Sequence, residues 1–148
     1  MKRLFRLLNM LVVGLSETPV HRLFSHQVLV LRFAGRRSGR GYAIPVSFLL
    51  IAHDESRALH CMTDIKGVWW RNLVDAGDIE ITWQGQRRQV SVEVVSAEPE
   101  AIRNALGAFC RASAISAFFA GVKMVQGAPD PTTLEQAAAE HVLIRLGL

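Results

Sequence analysis

Apolar and polar positions alternate over long stretches in the first half of the chain, and this pattern predicts β-strands. Residues 28–33 and 42–51 are rich in β-branched and aromatic residues. The intervening residues 35–41 contain three glycines, which favours a hairpin turn between two strands. A polar turn then leads to a third, shorter strand over residues 58–62.

The same alternation returns later in the chain. Residues 79–83 and 90–94 alternate apolar and polar positions on either side of a turn at 84–85, and residues 142–146 predict a closing strand. A period of two places one face of each strand on a core and the other toward solvent, which is typical of an antiparallel sheet. We therefore predict six strands.

Apolar positions at helical spacing predict helices around these strands. Gly77 stands where a C-terminal cap would end one of them, and Pro99 suits a first helical position. Five helical segments are predicted. They are residues 3–15, residues 68–76, a segment that begins at Pro99, a segment with an apolar stripe at 115–122, and residues 132–140. The last of them begins with the capping-box pattern Thr132-Thr133-Leu134-Glu135.

Size and composition predict one globular domain, residues 1–148. Of the 148 residues, 50% are hydrophobic and 20% are charged, which excludes a mostly disordered protein. The strands and helices together predict an α+β fold that is mainly β.

Cys61 and Cys110 lie in apolar segments without the spacing of a metal or redox motif, so we expect reduced core cysteines and, by default, a cytoplasmic protein.

Basic residues outnumber acidic ones by 17 to 13, and the excess is concentrated in residues 2–6, 36–40 and 87–88. This clustering favours acidic ligands or anionic lipid over nucleic acid, because aromatic and basic residues are not interleaved along a strand. The basic start of the predicted amphipathic helix 3–15 leaves alternatives open: packing on the domain, peripheral membrane contact through residues 1–15, or a short signal peptide.

A short basic loop, Gly35-Arg36-Arg37-Ser38-Gly39-Arg40, is the first candidate for chemistry. It combines three guanidinium groups and a hydroxyl with two glycines that permit a tight bend, a combination suited to binding a phosphate. Three arginines this close repel one another unless an anion lies nearby, so an anion site is favoured over a merely solvated turn.

Val68-Trp69-Trp70-Arg71-Asn72-Leu73 is the second candidate. One of its adjacent indoles is expected to pack inward, and the other, with the asparagine amide, could form the wall and polar edge of a flat pocket. Together the two segments predict a bound, phosphorylated, ring-shaped cofactor. The histidines lack metal-ligand spacing and no serine lies in a nucleophile elbow, so metal-site and hydrolase interpretations have little support.

Residues 31–40, 44–49 and 69–73, in this order, resemble the deazaflavin-dependent nitroreductase and quinone reductase family, whose members have the split β-barrel fold of flavin-binding oxidoreductases. The resemblance implies coenzyme F420, which carries a phosphate and an acidic tail, and a homodimer. The cofactor-binding residues that it implies are Arg36, Arg37 and Ser38 at the phosphate, Arg40 and Lys66 at the tail, Pro45, Val46 and Thr63 near the ring, and Trp69 and Asn72 on the helix.

The implied activity is hydride transfer from the reduced deazaflavin to a small acceptor, such as a quinone, an enone or a nitro compound. Ser47 or Tyr42 could donate a proton or orient this acceptor. Further candidates for the wall of the substrate pocket are Trp70, Phe118 and Phe119.

Two alternatives to this function remain open. One keeps the barrel and replaces F420 by FMN, with which Tyr42 and Asp64 are compatible, since they stand where members of the family often carry basic residues. The other is a non-catalytic module that binds lipid or a membrane surface through the basic N-terminal segment and an apolar barrel cavity.

Overall fold

The computed structural model describes residues 28–148. The helix expected over residues 3–15, and any membrane contact through residues 1–15, lie outside these residues. The described elements are, in chain order, β1 (Val28–Ala34), β2 (Gly41–His53), β3 (Ser56–Asp64), a 3₁₀ helix (Trp69–Leu73), β4 (Asp78–Trp83), β5 (Gln86–Val95), α1 (Pro99–Ala112), α2 (Ala114–Ala120), β6 (Met124–Val125), β7 (Ala128–Pro129), α3 (Pro131–Ala138) and β8 (His141–Gly147).

Six of these strands close into a barrel in the order β1-β2-β3-β8-β5-β4, and every neighbouring pair is antiparallel. β6 and β7 form a separate two-stranded hairpin. All six predicted strands are present, and they are the six strands of the barrel. The predicted α+β fold, mainly β with a six-stranded antiparallel barrel and inserted helices, is therefore confirmed.

Strand β2 is shared between two neighbours, and this division positions the candidate site. Its residues 41–47 pair with β1, whereas residues 48–53 pair with β3. No described strand pairs with residues 41–47 on their other side. Within residues 28–148 the barrel is thus split along this half of β2, which has β1 on one edge and no partner strand on the other; we call the latter the free edge.

The pattern of hydrogen bonds between β1 and β2 shows which backbone N–H and C=O groups of β2 face the free edge. Gly35 N–H donates to Arg40 O at 2.8 Å, and in an antiparallel ladder every second opposed pair exchanges hydrogen bonds. Tyr42 and Ile44 therefore bond to β1, while the backbone groups of Ala43 and Pro45 point the other way. Pro45 has no N–H to donate, so it fits a position that faces no partner strand.

Two apolar cores flank the barrel wall. The interior core contains Leu29, Leu31, Ile81 and Ile144, all almost fully buried. A second core lies between the outer face of the barrel and the three helices. Its buried members include Val95, Ile102, Leu106, Leu134 and Leu143. Alternate residues of β8 enter the two cores, so this strand is buried on both faces and joins them.

Cys61 and Cys110 are buried and unpaired with each other, which confirms the expectation of core thiols. Burial raises the pKa of the Cys61 thiol because the thiolate would lose its hydration in the barrel interior. We therefore assign Cys61 a packing role within the barrel, as a small apolar side chain.

The helix predicted over residues 68–76 is shorter than expected: it is a 3₁₀ helix over Trp69–Leu73. Val68 supplies no side-chain cap, and tryptophan, asparagine and valine are weak helix formers. The chain leaves the helical region at Val74, and Asp75 has a positive φ of 59°.

None of the helices in the described part of the chain is long and apolar enough to cross a membrane.

The predicted capping box at Thr132 is also wrong. Helix α3 begins one residue earlier, at Pro131, and Asp130 is its N-cap, with Oδ2 accepting from Thr133 N–H at 3.0 Å. Pro131 fixes the first helical φ and needs no N–H partner, so the Asp-Pro pair is the stronger signal for the start of the helix.

The free edge of β2 predicts an alternation in amide exchange. We expect the amides of Tyr42 and Ile44 to exchange at least about a hundredfold more slowly than that of Ala43, because only the first two are bonded within the barrel ladder. Hydrogen exchange followed by NMR on the ligand-free protein measures this directly. Equal protection of Ala43 and Ile44 would contradict the split and show that another segment pairs with this edge.

Candidate functional site

The basic loop, residues 35–40, forms a closed turn between β1 and β2. Gly39 N–H donates to Gly35 O at 2.8 Å, and Ser38 Oγ accepts from Arg40 N–H at 3.2 Å. Gly39 has a positive φ of 68°, which only glycine adopts without strain. Gly35 is buried, and a Cβ there would lie 2.9 Å from Ser38 Oγ, so the compact turn also requires glycine at this position.

This turn leaves its three guanidinium groups exposed and close in sequence. Within residues 28–148, no carboxylate forms an ion pair with Arg36, Arg37 or Arg40. Their charges are not neutralised inside the described part of the protein, and guanidinium groups are the side chains best suited to binding a phosphate through paired hydrogen bonds.

Asn72 joins the basic loop to the 3₁₀ helix. Its Oδ1 accepts from Arg36 N–H at 3.0 Å, and its Nδ2 donates to Trp69 O at 3.0 Å. One side chain therefore bridges two segments that lie 36 positions apart. The two segments that the sequence singled out are in contact in the structure.

A cavity of about 280 Å³, which we call the loop cavity, lies between these segments. Arg71 is a residue that the sequence interpretation missed, although it lies inside the motif that contains Trp69 and Asn72. Its guanidinium lies 5.6 Å from the centroid of the Trp70 ring. The lining residues are Gly35, Arg36, Arg37, Ser38, Tyr42, Val68, Arg71 and Asn72.

Stacked aromatic rings adjoin the loop cavity. Phe33 lies between Tyr42 and Trp69, with ring centroids 5.7 Å and 6.1 Å away. Both pairs are close to parallel, at 21° and 27°. These stacks give this end of the barrel an apolar, planar side next to a strongly basic one.

A second cavity of about 330 Å³, the strand cavity, lies where β2 and β3 meet helices α1 and α2. It brings together Ser47, Thr63 and Phe119, which the sequence interpretation selected from three separate segments. Hydroxyl groups and apolar side chains both line it, as is usual for small-molecule sites. The full lining is Ser47, Met62, Thr63, Asp64, Leu106, Phe109, Ser116, Phe119, Ala120 and His141.

His141 is the second residue that the sequence interpretation missed. Its Nδ1 lies 2.6 Å from Ala137 O, and because a carbonyl only accepts, Nδ1 carries the proton and Nε2 is left for other partners. His141 opens β8 opposite Asp64 of β3. No sequence spacing marked it, because its neighbours in the cavity come from distant elements.

Tyr42 and Ser47, the two candidate proton donors, belong to different cavities. They are five positions apart on β2, so their side chains project from opposite faces of the strand. Arg40 and Lys66 are exposed and line neither cavity. Pro45 lies between the cavities on the free edge.

Three predicted site residues lie elsewhere than expected. Val46 and Trp70 are each 8% exposed and belong to the interior core, and the Trp70 indole N–H donates to Ile65 O at 3.3 Å. The side chains of Val46 and Trp70 therefore pack inside the barrel and line neither the loop cavity nor the strand cavity. Phe118 is 79% exposed and lines neither cavity.

Comparison with known proteins identifies the fold. No family model matches the chain, and no curated protein matches it. Among solved structures, it is similar to a pyridoxamine 5'-phosphate oxidase-related, FMN-binding protein from Nostoc punctiforme PCC 73102, with a TM-score of 0.57 and 14% identity over 90% of this chain and 77% of that chain. At this identity the likeness shows the fold alone. It supports the expected split barrel.

The Asn72 bridge yields a stability prediction. We expect Asn72→Ala to lower the free energy of unfolding by about 1 kcal/mol, because Arg36 N–H loses a partner and the basic loop loses its attachment to the 3₁₀ helix. Urea denaturation measures the change, and Asn104→Ala, an exposed asparagine on α1, is the matched control and should not lower the free energy of unfolding, because alanine is the better helix former there. Equal effects of the two substitutions would contradict a bridging role for Asn72.

Proposed function

We propose that the chain binds FMN, with the phosphate in the loop cavity, and acts as an oxidoreductase on a small electron-poor acceptor. The observation that carries the proposal is the bond between Asn72 Oδ1 and Arg36 N–H, since it assembles a basic, hydroxyl-bearing cavity next to stacked aromatic rings. A solved structure of similar fold is that of an FMN-binding protein, which also supports this choice.

The donor set of the loop cavity fits a phosphate. Arg36, Arg37 and Arg71 can each present a guanidinium, and the Ser38 hydroxyl adds a neutral donor. At about 280 Å³ the cavity is small compared with most ligand sites, so it suits the phosphate end of a cofactor better than the whole molecule. The ring system then needs a place outside this cavity.

The free edge of β2 provides that place. It runs from Tyr42 at the loop cavity to Ser47 at the strand cavity, a span of roughly 17 Å at about 3.3 Å per residue. The backbone groups of Ala43 and Pro45 face outward along it and can bind polar ring atoms. A bound flavin supplies the redox chemistry.

The strand cavity is suited to the acceptor. Hydroxyl groups of Ser47 and Thr63 and the Nε2 of His141 can orient a carbonyl or nitro group, and the buried Phe109 ring forms an apolar wall. We assign to Ser47 the hydrogen bond that orients the acceptor and stabilises the charge that develops on its oxygen, with the proton supplied by solvent, since Tyr42 lines the cavity that would hold the phosphate.

F420 is the second candidate cofactor, and one observation favours it. Arg40 and Lys66 are exposed outside both cavities, where they could bind an acidic tail that FMN lacks. Asp64 opposes this interpretation, because its Oδ1 accepts from the Lys66 backbone N–H at 2.8 Å and adds a negative charge beside that lysine. FMN requires no tail-binding residues, so we rank it first.

Placing the phosphate in the loop cavity predicts that ligand affinity depends both on the phosphate of the ligand and on the arginines of the loop. The unsubstituted chain should bind FMN roughly a hundredfold more tightly than riboflavin, because two charge-assisted hydrogen bonds contribute about 1.5 kcal/mol or more each. Arg36→Ala with Arg37→Ala should remove this preference and leave riboflavin affinity unchanged. Quenching of ligand fluorescence in a titration measures all four dissociation constants.

Arg57→Ala with Arg111→Ala is the matched control, since both arginines are exposed and outside the loop cavity. It should retain the preference for FMN, and both double variants should melt like the unsubstituted protein. Equal binding of FMN and riboflavin by the unsubstituted chain contradicts the phosphate site. Tighter binding of F420 than FMN favours the deazaflavin, and binding of no such cofactor favours the non-catalytic module.

The assignment of the hydrogen-bond donor to Ser47 predicts different effects of two conservative substitutions. With dithionite-reduced FMN bound, oxidation by benzoquinone in a stopped-flow experiment should be about a hundredfold slower in Ser47→Ala, the usual cost of losing one hydrogen-bond donor to a developing oxyanion. Tyr42→Phe should change this rate little, because its ring still stacks on Phe33. A slow Tyr42→Phe beside an unchanged Ser47→Ala would reverse the assignment.

A further inference from the structure

The strand cavity opens where β2 and β3 part. Phe48 and Cys61 are the last residues that these two strands pair, and Ser47 of β2 and Asp64 of β3 lie beyond them and line the cavity. Ser47 is one residue past this pair and Asp64 is three, so the two are offset by about 7 Å along the strands, at about 3.3 Å per residue. This offset suits a ligand that consists of one six-membered ring with a short substituent.

The Asp64 carboxylate is held at this cavity. Its Oδ1 accepts from Lys66 N–H at 2.8 Å. Asp64 is two residues after Met62, so their side chains share one face of β3, and Met62 packs against the core between the barrel and the helices. Both residues line the strand cavity. The second carboxylate oxygen, Oδ2, takes no part in the Lys66 bond and is available to a ligand.

Asp64 also sets the charge of the cavity. No lysine or arginine of residues 28–148 lines the strand cavity, and none of them forms an ion pair with Asp64. His141, the other titratable group of the lining, donates its Nδ1 proton to Ala137 O and is left with Nε2 as an acceptor. A chain with a net charge of +4 therefore contains a cavity whose charge favours a cation.

Aromatic rings lie in the same cavity as this carboxylate. Phe109, which is 6% exposed, and Phe119 line it together with Asp64. The face of an aromatic ring attracts a cation, and proteins commonly recognise quaternary ammonium groups with such rings. A carboxylate adds Coulomb attraction for the same group. The charge and the rings of the cavity thus favour the same kind of ligand.

We propose that the strand cavity binds a small aromatic or quinonoid ligand that carries a positively charged ammonium group, with this group at Asp64 and Phe119. In the proposed function, on which this part of the inference rests, the ligand is the acceptor and its reducible oxygen lies at Ser47. The preference for a cation is a property of the chain without any cofactor. Asp64 and Phe119 then determine specificity for the acceptor.

Binding of redox-inactive probes to the flavin-free chain tests this preference. The probes are benzyltrimethylammonium and phenylacetate, which share a phenyl ring and differ in the sign of their charge. Amide shifts of the ¹⁵N-labelled chain at pH 8, followed at Thr63 and Ser116, give both dissociation constants. We expect benzyltrimethylammonium to bind at least about tenfold more tightly, and added salt to reduce this difference. Equal affinity for the two probes, or no shift of these amides with benzyltrimethylammonium, would overturn the proposal.

Three substitutions assign the preference to its residues. Asp64→Asn keeps an acceptor for Lys66 N–H but removes the charge, so it should weaken benzyltrimethylammonium binding about threefold and strengthen phenylacetate binding. Phe119→Leu keeps an apolar side chain without an aromatic face and should weaken binding of the cation about threefold. Asp78→Asn is the matched control, because Asp78 is exposed and lines neither cavity. Equal losses of cation affinity in Asp64→Asn and Asp78→Asn would contradict a local site.

Turnover separates failure of this inference from failure of the proposed function. With dithionite-reduced FMN bound, benzoquinone bearing a trimethylammoniomethyl group is compared in stopped flow with benzoquinone bearing a carboxymethyl group. Each takes a hydride from the reduced flavin and a proton from solvent, and leaves as the hydroquinone. We expect the cationic quinone to reach half-saturation at about a tenfold lower concentration, and Asp64→Asn to reduce this ratio.

The outcomes of the two experiments are independent. Oxidation of the flavin with equal half-saturating concentrations of the two quinones would overturn the charge preference and leave the proposed function standing. Discrimination between the two probes by a chain that fails to bind FMN would support the cation site and overturn the proposed function.

Discussion

The division of β2 between two neighbouring strands is the constraint on which the site depends. The first half of this strand bonds to β1 and its second half to β3, so within residues 28–148 the edge of residues 41–47 that faces away from β1 has no partner strand. The loop cavity lies at one end of that edge and the strand cavity at the other. A strand that paired fully on both sides would fill the space where we place the ring of the cofactor.

Asn72 is the second feature on which the site depends, because it joins the basic loop to the 3₁₀ helix. The basic loop closes on itself through backbone bonds, and the bond from Arg36 N–H to Asn72 Oδ1 links it directly to the 3₁₀ helix. A single hydrogen bond of this kind contributes about 1 kcal/mol, which is small for the fold as a whole. It matters for the site because guanidinium groups bind a phosphate well only when they are held in a fixed relation to one another.

The sequence was sufficient to predict most of the fold, because alternating burial is a local property that strands impose on their residues. It also located the basic loop and Asn72, since glycine and arginine have specific chemical uses in a turn. It did not predict the interior packing of the Val46 side chain, which depends on which face of the strand meets the core, but it did predict that one of the adjacent indoles packs inward, as Trp70 does. It missed His141, because the cavity that contains it is assembled from β2, β3, β8 and two helices. The length of the 3₁₀ helix and the N-cap at Asp130 were not predicted correctly, because the residues that begin and end a helix are marked only by weak local preferences.

Chemical-shift mapping of the amides with FMN tests the central claim most directly. Spectra of the ¹⁵N-labelled chain, recorded during a titration with FMN, would locate the bound ligand residue by residue. We expect the largest shifts at the backbone amides of residues 35–40, at the side-chain amide of Asn72 and at Ala43 on the free edge. Shifts confined to α1, α2 and α3, or no shifts at saturating FMN, would contradict a phosphorylated flavin held by the basic loop.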